Sequence, residues 1–209
     1  MDAARALGAR FGTDVGHGER VLVHGRRLLA GSIDAFARPD QARAYRLRLD
    51  LAAVLHDVGR AVAGRRHNRH SRYLIVHSDR TEPWPEDLRN TVAELSRAHR
   101  GPASLGRLRR RLGGDDDLVR LAALLRIADG LDRSHMPGVA ILAFGPGPKG
   151  FSLSVAGLPE GDRRRLVERK ADLFAQAFGR CLRVRVIPSP PRRKPEDGCA
   201  PLPNARGAQ

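Results

Sequence analysis

Leu47, Leu51, Val54, Leu55 and Val58 recur at i, i+4, i+7, i+8 and i+11, the spacing of one buried helical face. That stripe runs without a break into His56-Asp57 and stops at Gly59, a residue suited to ending a helix. A packed helix that closes on an imidazole and a carboxylate holds both side chains rigidly. Two more stripes behave alike. Val21, Leu22, Leu28 and Leu29 form one that opens at His17, and Leu118, Leu121, Ala122, Leu125 and Ala128 form another that closes at Asp129. The third is introduced by Asp115-Asp116-Asp117, which offers a cap and negative charge to a helix N-terminus. A chain built from such stripes buries them against one another as a helical bundle.

At 3.6 residues per turn Asp129 falls on the apolar side of its helix. A lone carboxylate there is costly to bury, and an ion or a cationic partner removes the cost. His17, His56, Asp57 and Asp129 together offer imidazole and carboxylate ligands, a set that suits Mn, Mg, Fe or Zn and excludes a thiolate site. The chain has two cysteines, too few for a disulfide framework, which fits a reducing compartment. No apolar run approaches the roughly 20 residues of a membrane span, and the amino terminus lacks a signal-peptide core. The expected location is the cytoplasm, with no membrane partner.

The organisation reads as three parts: a helical domain over 1–137, a small α+β appendage over 138–187, and a Pro- and Arg-rich tail over 188–209 expected to be disordered. In the first part the pattern predicts helices near 2–10, 17–36, 40–58, 70–77, 86–99, 104–111 and 116–133, with a loop around His67. In the second, Val-Ala-Ile-Leu-Ala-Phe, a Gly-Pro turn and Phe-Ser-Leu-Ser-Val predict a hairpin, followed by a helix near 161–178 and a last strand, Leu182 to Ile187. The fold class is mainly α, a helical bundle followed by a hairpin, a helix and a strand. Trp84, between Pro83 and Pro85, is either a rigid lid over a pocket or a loop anchor.

The order His17, His56-Asp57, Asp129 resembles the H…HD…D signature of HD-superfamily metal-dependent phosphohydrolases. The stretches Ala-Val-Leu-His-Asp-Val-Gly, His67 to Ile75, Ala98-His99-Arg100 and Leu124 to Ser134 resemble the carboxy-terminal HD domain of the exopolyphosphatase/guanosine pentaphosphate phosphohydrolase family. So do Val167 to Phe174 and Phe178 to Leu182, which extends the resemblance from about Leu7 to Ile187. It implies an HD-type bundle, a divalent ion on His17, His56, Asp57 and Asp129, and a catalytic role for His56 and Asp57. It also implies a second ion held by His99 with His70 or His67. Asn68 stands where that family often has a second consecutive histidine. No stretch of the sequence resembles the family's amino-terminal actin-like phosphatase domains, so the resemblance alone does not bring exopolyphosphatase activity with it.

A net charge of +15, carried by arginine except at Lys149, Lys170 and Lys194, suits a polyanionic substrate, because the guanidinium fork grips phosphate oxygens in pairs. Arg65, Arg66, Arg69 and Arg72, around the His67 loop, are the candidate phosphate ligands, with a solvated charge run as the plain alternative. For His67, His70 and His99 the plain alternative is a hydrogen-bonded core residue; His24 and His77 are read as structural. Two functions remain. One is a metal-dependent phosphohydrolase acting on a phosphate ester or anhydride such as a nucleotide, a guanosine polyphosphate or polyphosphate. The other is a non-catalytic module binding polyphosphate or RNA. The partners expected are a phosphate-containing small molecule or polyphosphate, and a second copy of the chain or a separate phosphatase.

Overall fold

The computed structural model describes residues 1–101, 104–135 and 137–188. The expected tail over 188–209 lies, beyond Pro188, outside the described residues. Seven helices come first: α1 (Asp2–Arg10), α2 (Val15–Ala30), α3 (Ala42–Leu55), α4 (His67–His77), α5 (Glu86–Ala98), α6 (Leu105–Arg111) and α7 (Asp116–Leu131). A hairpin of β1 (Ala140–Gly147) and β2 (Gly150–Ala156) follows, then α8 (Glu160–Arg169), α9 (Ala171–Phe178) and β3 (Leu182–Ile187). The class is mainly helical with a small α+β unit, as the patterning requires.

Helix α7 is the axis of the bundle. Residues Leu121 to Ala128 are buried without interruption, the behaviour of a helix apolar on all sides, and α2, α3, α5, α6, α8 and α9 all pack on it. Asp115 caps it by accepting from the backbone N–H groups of Asp117 and Leu118. Asp14 does the same for α2 through the N–H of His17, which fixes His17 in the first turn.

The α3 stripe is rotated from the expected one. Leu47 is 42% exposed, whereas Tyr45, Leu49, Ala52 and Ala53 are buried with Leu51 and Leu55. The rotation arises because α3 is covered by α2, α5 and α7 on several sides, so small alanines mark its closest contacts. His67 is in a helix rather than a loop: α4 starts there, three residues before the helix expected over 70–77.

In the small sheet β1 and β2 are antiparallel, with an irregularity of register between Ile141 and Ala143 that leaves Leu142 exposed. Strands β2 and β3 are parallel, so their connection must cross over, and α8 and α9 supply that crossover. Phe144, Phe151, Phe174 and Phe178 pack ring against ring between sheet and helices. The expected single helix over 161–178 is broken at Lys170, whose φ of −122° ends α8 and starts α9. Trp84 packs partly buried against the core, which makes it an anchor of its loop.

Candidate metal centre

Four helix ends converge beside α7. His17 comes from the first turn of α2, His56 and Asp57 from the end of α3, His67 from the start of α4, and His99 from the residue after α5. Asp129 arrives from the last turn of α7. Two glycines allow the approach. A Cβ on Gly59 would stand 2.2 Å from the His67 carbonyl oxygen, so only glycine lets the start of α4 close on the His56-Asp57 turn. A Cβ on Gly130 would stand 2.5 Å from a Leu166 methyl, so glycine beside Asp129 lets α8 lie against α7.

The side chains form two groups that share Asp57: His17, His56 and Asp57 on one side, Asp57, His67 and His99 on the other. His17 Nε2 and His56 Nε2 are 3.1 Å apart, and each is 3.6 Å from Asp129 Oδ1. His67 Nε2 is 3.1 Å from His99 Nε2 and 2.9 Å from Asp57 Oδ1, which is 3.6 Å from His99 Nε2. Each Nδ1 is turned outward and held. That of His17 meets Asp132 at 2.6 Å, that of His56 the Ala53 carbonyl at 2.8 Å, that of His67 the Gly64 carbonyl at 3.0 Å and that of His99 the Ser96 carbonyl at 2.5 Å. At His17, His56 and His99 a held Nδ1–H leaves the Nε2 lone pair directed inward, the orientation found in imidazole metal ligands, while at His67 the Arg100 guanidinium also reaches Nδ1, at 3.0 Å. Two facing Nε2 lone pairs repel unless a proton or a cation lies between them. The donor set therefore fits a divalent ion.

The charges bear this out. Burial alone would raise the Asp57 carboxyl, but the His67 hydrogen bond and the nearby His56 and His99 hold it well below the carboxylate range. Asp129 is held low against a similar penalty, first by Lys170 and then by His17 and His56. Burial would lower His17, yet Asp129 and Asp132 outweigh it and push it up to about 9. His99, buried and facing His56, is driven well below 6.5. Two concentrated carboxylates and a proton-attracting imidazole are what an electronegative cation site looks like.

Of the residues expected from the sequence, His17, His56, Asp57, Asp129, His67 and His99 come together here. His70 does not join either group, and His77 lies against Tyr73. His24 is buried, with no partner for its Nε2. Arg65, Arg66, Arg69 and Arg72 do not line the cavity at the centre; Arg72 is paired with Glu94. That cavity, of about 1130 Å³, has its cationic wall from Arg60, Arg100, Arg126, Arg133, Arg165, Arg169 and Lys170.

Several site residues escaped the sequence reading. Asp132, buried and bonded also to Arg20 Nε at 2.7 Å, is placed three residues after Asp129, and that spacing is its only signal. Lys170 Nζ bonds the second oxygen of Asp129 and, at 2.8 Å, the His99 carbonyl. His135, with φ +55°, stacks on His17 at 4.0 Å and bonds Asp14. These depend on long-range packing that no local pattern announces.

No curated protein matches the chain. The family model "Ppx/GppA phosphatase, domain III" matches residues 1–141, from α1 through the helix that carries Asp129 and into β1, and stops before α8 and Lys170. The match covers well over half of the chain and takes in both histidine and aspartate groups, so the chain belongs to the Ppx/GppA phosphatase family through its domain III.

Proposed function

We propose that the chain is a metal-dependent phosphohydrolase acting on a phosphate ester or anhydride: a nucleotide, a guanosine polyphosphate or polyphosphate. The observation that carries this reading is the pair of histidine and aspartate groups joined at Asp57, with every histidine Nδ1 held so that its Nε2 faces inward. His17, His56, Asp57 and Asp129 would hold one divalent ion, of Mn, Mg, Fe or Zn type, and Asp57, His67 and His99 a second. Such ions supply Lewis acidity, lowering the pKa of water and withdrawing charge from a phosphoryl oxygen.

The residues of the chain do the rest. Asp132, the two backbone carbonyls behind His56 and His67, and the Ser96 carbonyl keep the imidazoles in one orientation. Arg60, Arg100 and Lys170 stand where they neutralise charge that builds on phosphoryl oxygens in the transition state. Among the described residues no serine, threonine or cysteine lines the large cavity, so attack falls to water rather than to a covalent nucleophile. The cationic wall also supports a second reading, a non-catalytic module that holds polyphosphate or RNA beside a separate phosphatase. No helix among the described residues is long and apolar enough to cross a membrane; a cytoplasmic setting is part of the proposal.

Elemental analysis of the purified chain, followed by phosphate release from nucleotides, guanosine polyphosphates and polyphosphate with Mn, Mg or Zn, tests the reading. Asp57→Asn keeps shape and removes charge. It should lower turnover by at least about 100-fold, while arginine-mediated anion binding persists. Salt-sensitive binding with no hydrolysis under any metal, in wild type and variant alike, would leave the binding module standing and remove the enzyme.

A further inference from the structure

A second pocket, of about 370 Å³, reaches the same centre from the side of α1 and α2. Asp57, Arg60 and His135 line both spaces. The division runs through the ligand set: His17 and His56 face the small pocket, His67 and His99 the large cavity. Asp57 is thus the wall between two approaches to one reaction centre.

The two spaces differ in chemistry. The large cavity has six arginines and Lys170 against three aspartates. In the small pocket Arg60 stands alone among arginines and lysines, against Asp14 and Asp57, and the remaining wall includes Phe11, Gly12, Thr13, Val54 and Ala61. A phosphate chain is drawn more strongly to the first, with its seven arginine and lysine side chains, than to the second, where Arg60 and the histidines His17, His56 and His135 face two carboxylates. The small pocket offers an aromatic face, a hydroxyl and short side chains, and its volume falls within the range of about 300–1,000 Å³ typical of small-molecule sites.

We propose that the substrate is a phosphate ester divided at Asp57, with its uncharged organic part, of nucleoside size, in the small pocket and its phosphates in the large cavity. This deepens the phosphohydrolase reading and rests on it. The bond cleaved is then the ester bond. Water oxygen attacks the phosphorus at Asp57, and the bond from phosphorus to the ester oxygen breaks with its electron pair left on that oxygen. A proton from the attacking water ends there. The products are a free alcohol and the intact phosphate chain.

The test uses two probes with the same number of phosphates, adenosine 5′-triphosphate and inorganic tripolyphosphate, on the full chain loaded with manganese. Ala61→Trp fills the small pocket from an exposed position. It should shift the ratio of the two affinities, read by isothermal titration, about tenfold toward tripolyphosphate, the scale on which pocket fit discriminates ligands. Arg165→Gln with Arg169→Gln should weaken both probes together. Ala61→Leu repeats the experiment should the tryptophan variant melt early. Wild type should release adenosine and tripolyphosphate. The proposal is overturned if filling the pocket weakens both probes equally, as a water channel would, if it changes neither, or if orthophosphate is the sole inorganic product. If neither probe is hydrolysed the enzyme reading fails separately, and the affinity ratio still decides whether the small pocket takes the organic part.

Discussion

Asp132 would shape the proposed metal site without touching an ion. It is fully buried between His17 Nδ1 and Arg20 and fixes both the tautomer and the aim of the His17 ring. Asp132→Asn should therefore lower divalent-metal affinity by about 10- to 100-fold with the fold intact, as loss of a carboxylate behind a ligating histidine does. An unchanged isotherm in the variant would mean His17 is not a ligand. The same histidine, as a ligand of the proposed ion, would make metal uptake proton-linked. Its pKa of about 9 means that it carries a proton at neutral pH in protein stripped with chelator, and a ligating Nε2 must give that proton up. Affinity should accordingly rise with pH up to about 9, and titrations in two buffers of different ionisation enthalpy should show a proton released at pH 7.5. Equal apparent enthalpies in the two buffers would count against it.

At the scale of elements, the ends of helices carry the site and the turns between them decide whether it forms. Gly59→Ala places a methyl group against the His67 carbonyl, so α4 must retreat and take His67 with it. About 1–3 kcal/mol of stability should be lost to overpacking, together with affinity for one ion. Asp117 works elsewhere, tying the α2–α3 connection to α7. It accepts from the N–H groups of Ala37 and Arg38, at 2.9 and 3.1 Å, and from the Tyr45 hydroxyl at 2.7 Å. Burial opposes its ionisation, but these donors and Arg120 hold its carboxyl below the ordinary 3.8. A depressed carboxyl stabilises the fold above its unfolded value, and that contribution disappears as pH falls through the folded one. Asp117→Ala should cost about 2–4 kcal/mol near neutral pH and flatten the acid limb of a melting-temperature profile. Helix ends were also what the sequence displayed best. His17, His56, Asp57 and Asp129 each stand where an apolar stripe begins or stops, so local periodicity pointed at them. Lys170 was hidden because the run from 161 to 178 has the composition of one helix, and its break follows from two distant partners, Asp129 and the His99 carbonyl. The turn of α3 that exposes Leu47 was hidden likewise, since periodicity finds a face but not which neighbours will cover it.

At the scale of the whole molecule, the α+β unit is more than an attachment. Its helices α8 and α9 pack on α7, its strand β1 packs on α2, and Leu153, Val155, Leu166 and Phe174 belong to the same buried cluster as the bundle's leucines. Arg126, buried in α7, crosses to the Arg169 carbonyl and the Asp172 carboxylate, and Lys170 crosses the other way to Asp129. With apolar contact and part-buried ion pairs joining the two parts, neither has a core of its own to melt around. Calorimetry on the full chain should therefore show one transition, whose calorimetric and van't Hoff enthalpies agree. Leu166→Asp, which puts a charge into the α7–α8 contact beside Gly130, should lower that single transition and weaken metal binding at the same time. The coupling follows from position: α8 can leave α7 only by withdrawing Lys170 from Asp129 and Arg169 from the cavity wall. Two resolved transitions in the wild type, or a Leu166→Asp variant that melts early yet binds metal with unchanged affinity, would show that the bundle holds its site without the unit packed against it.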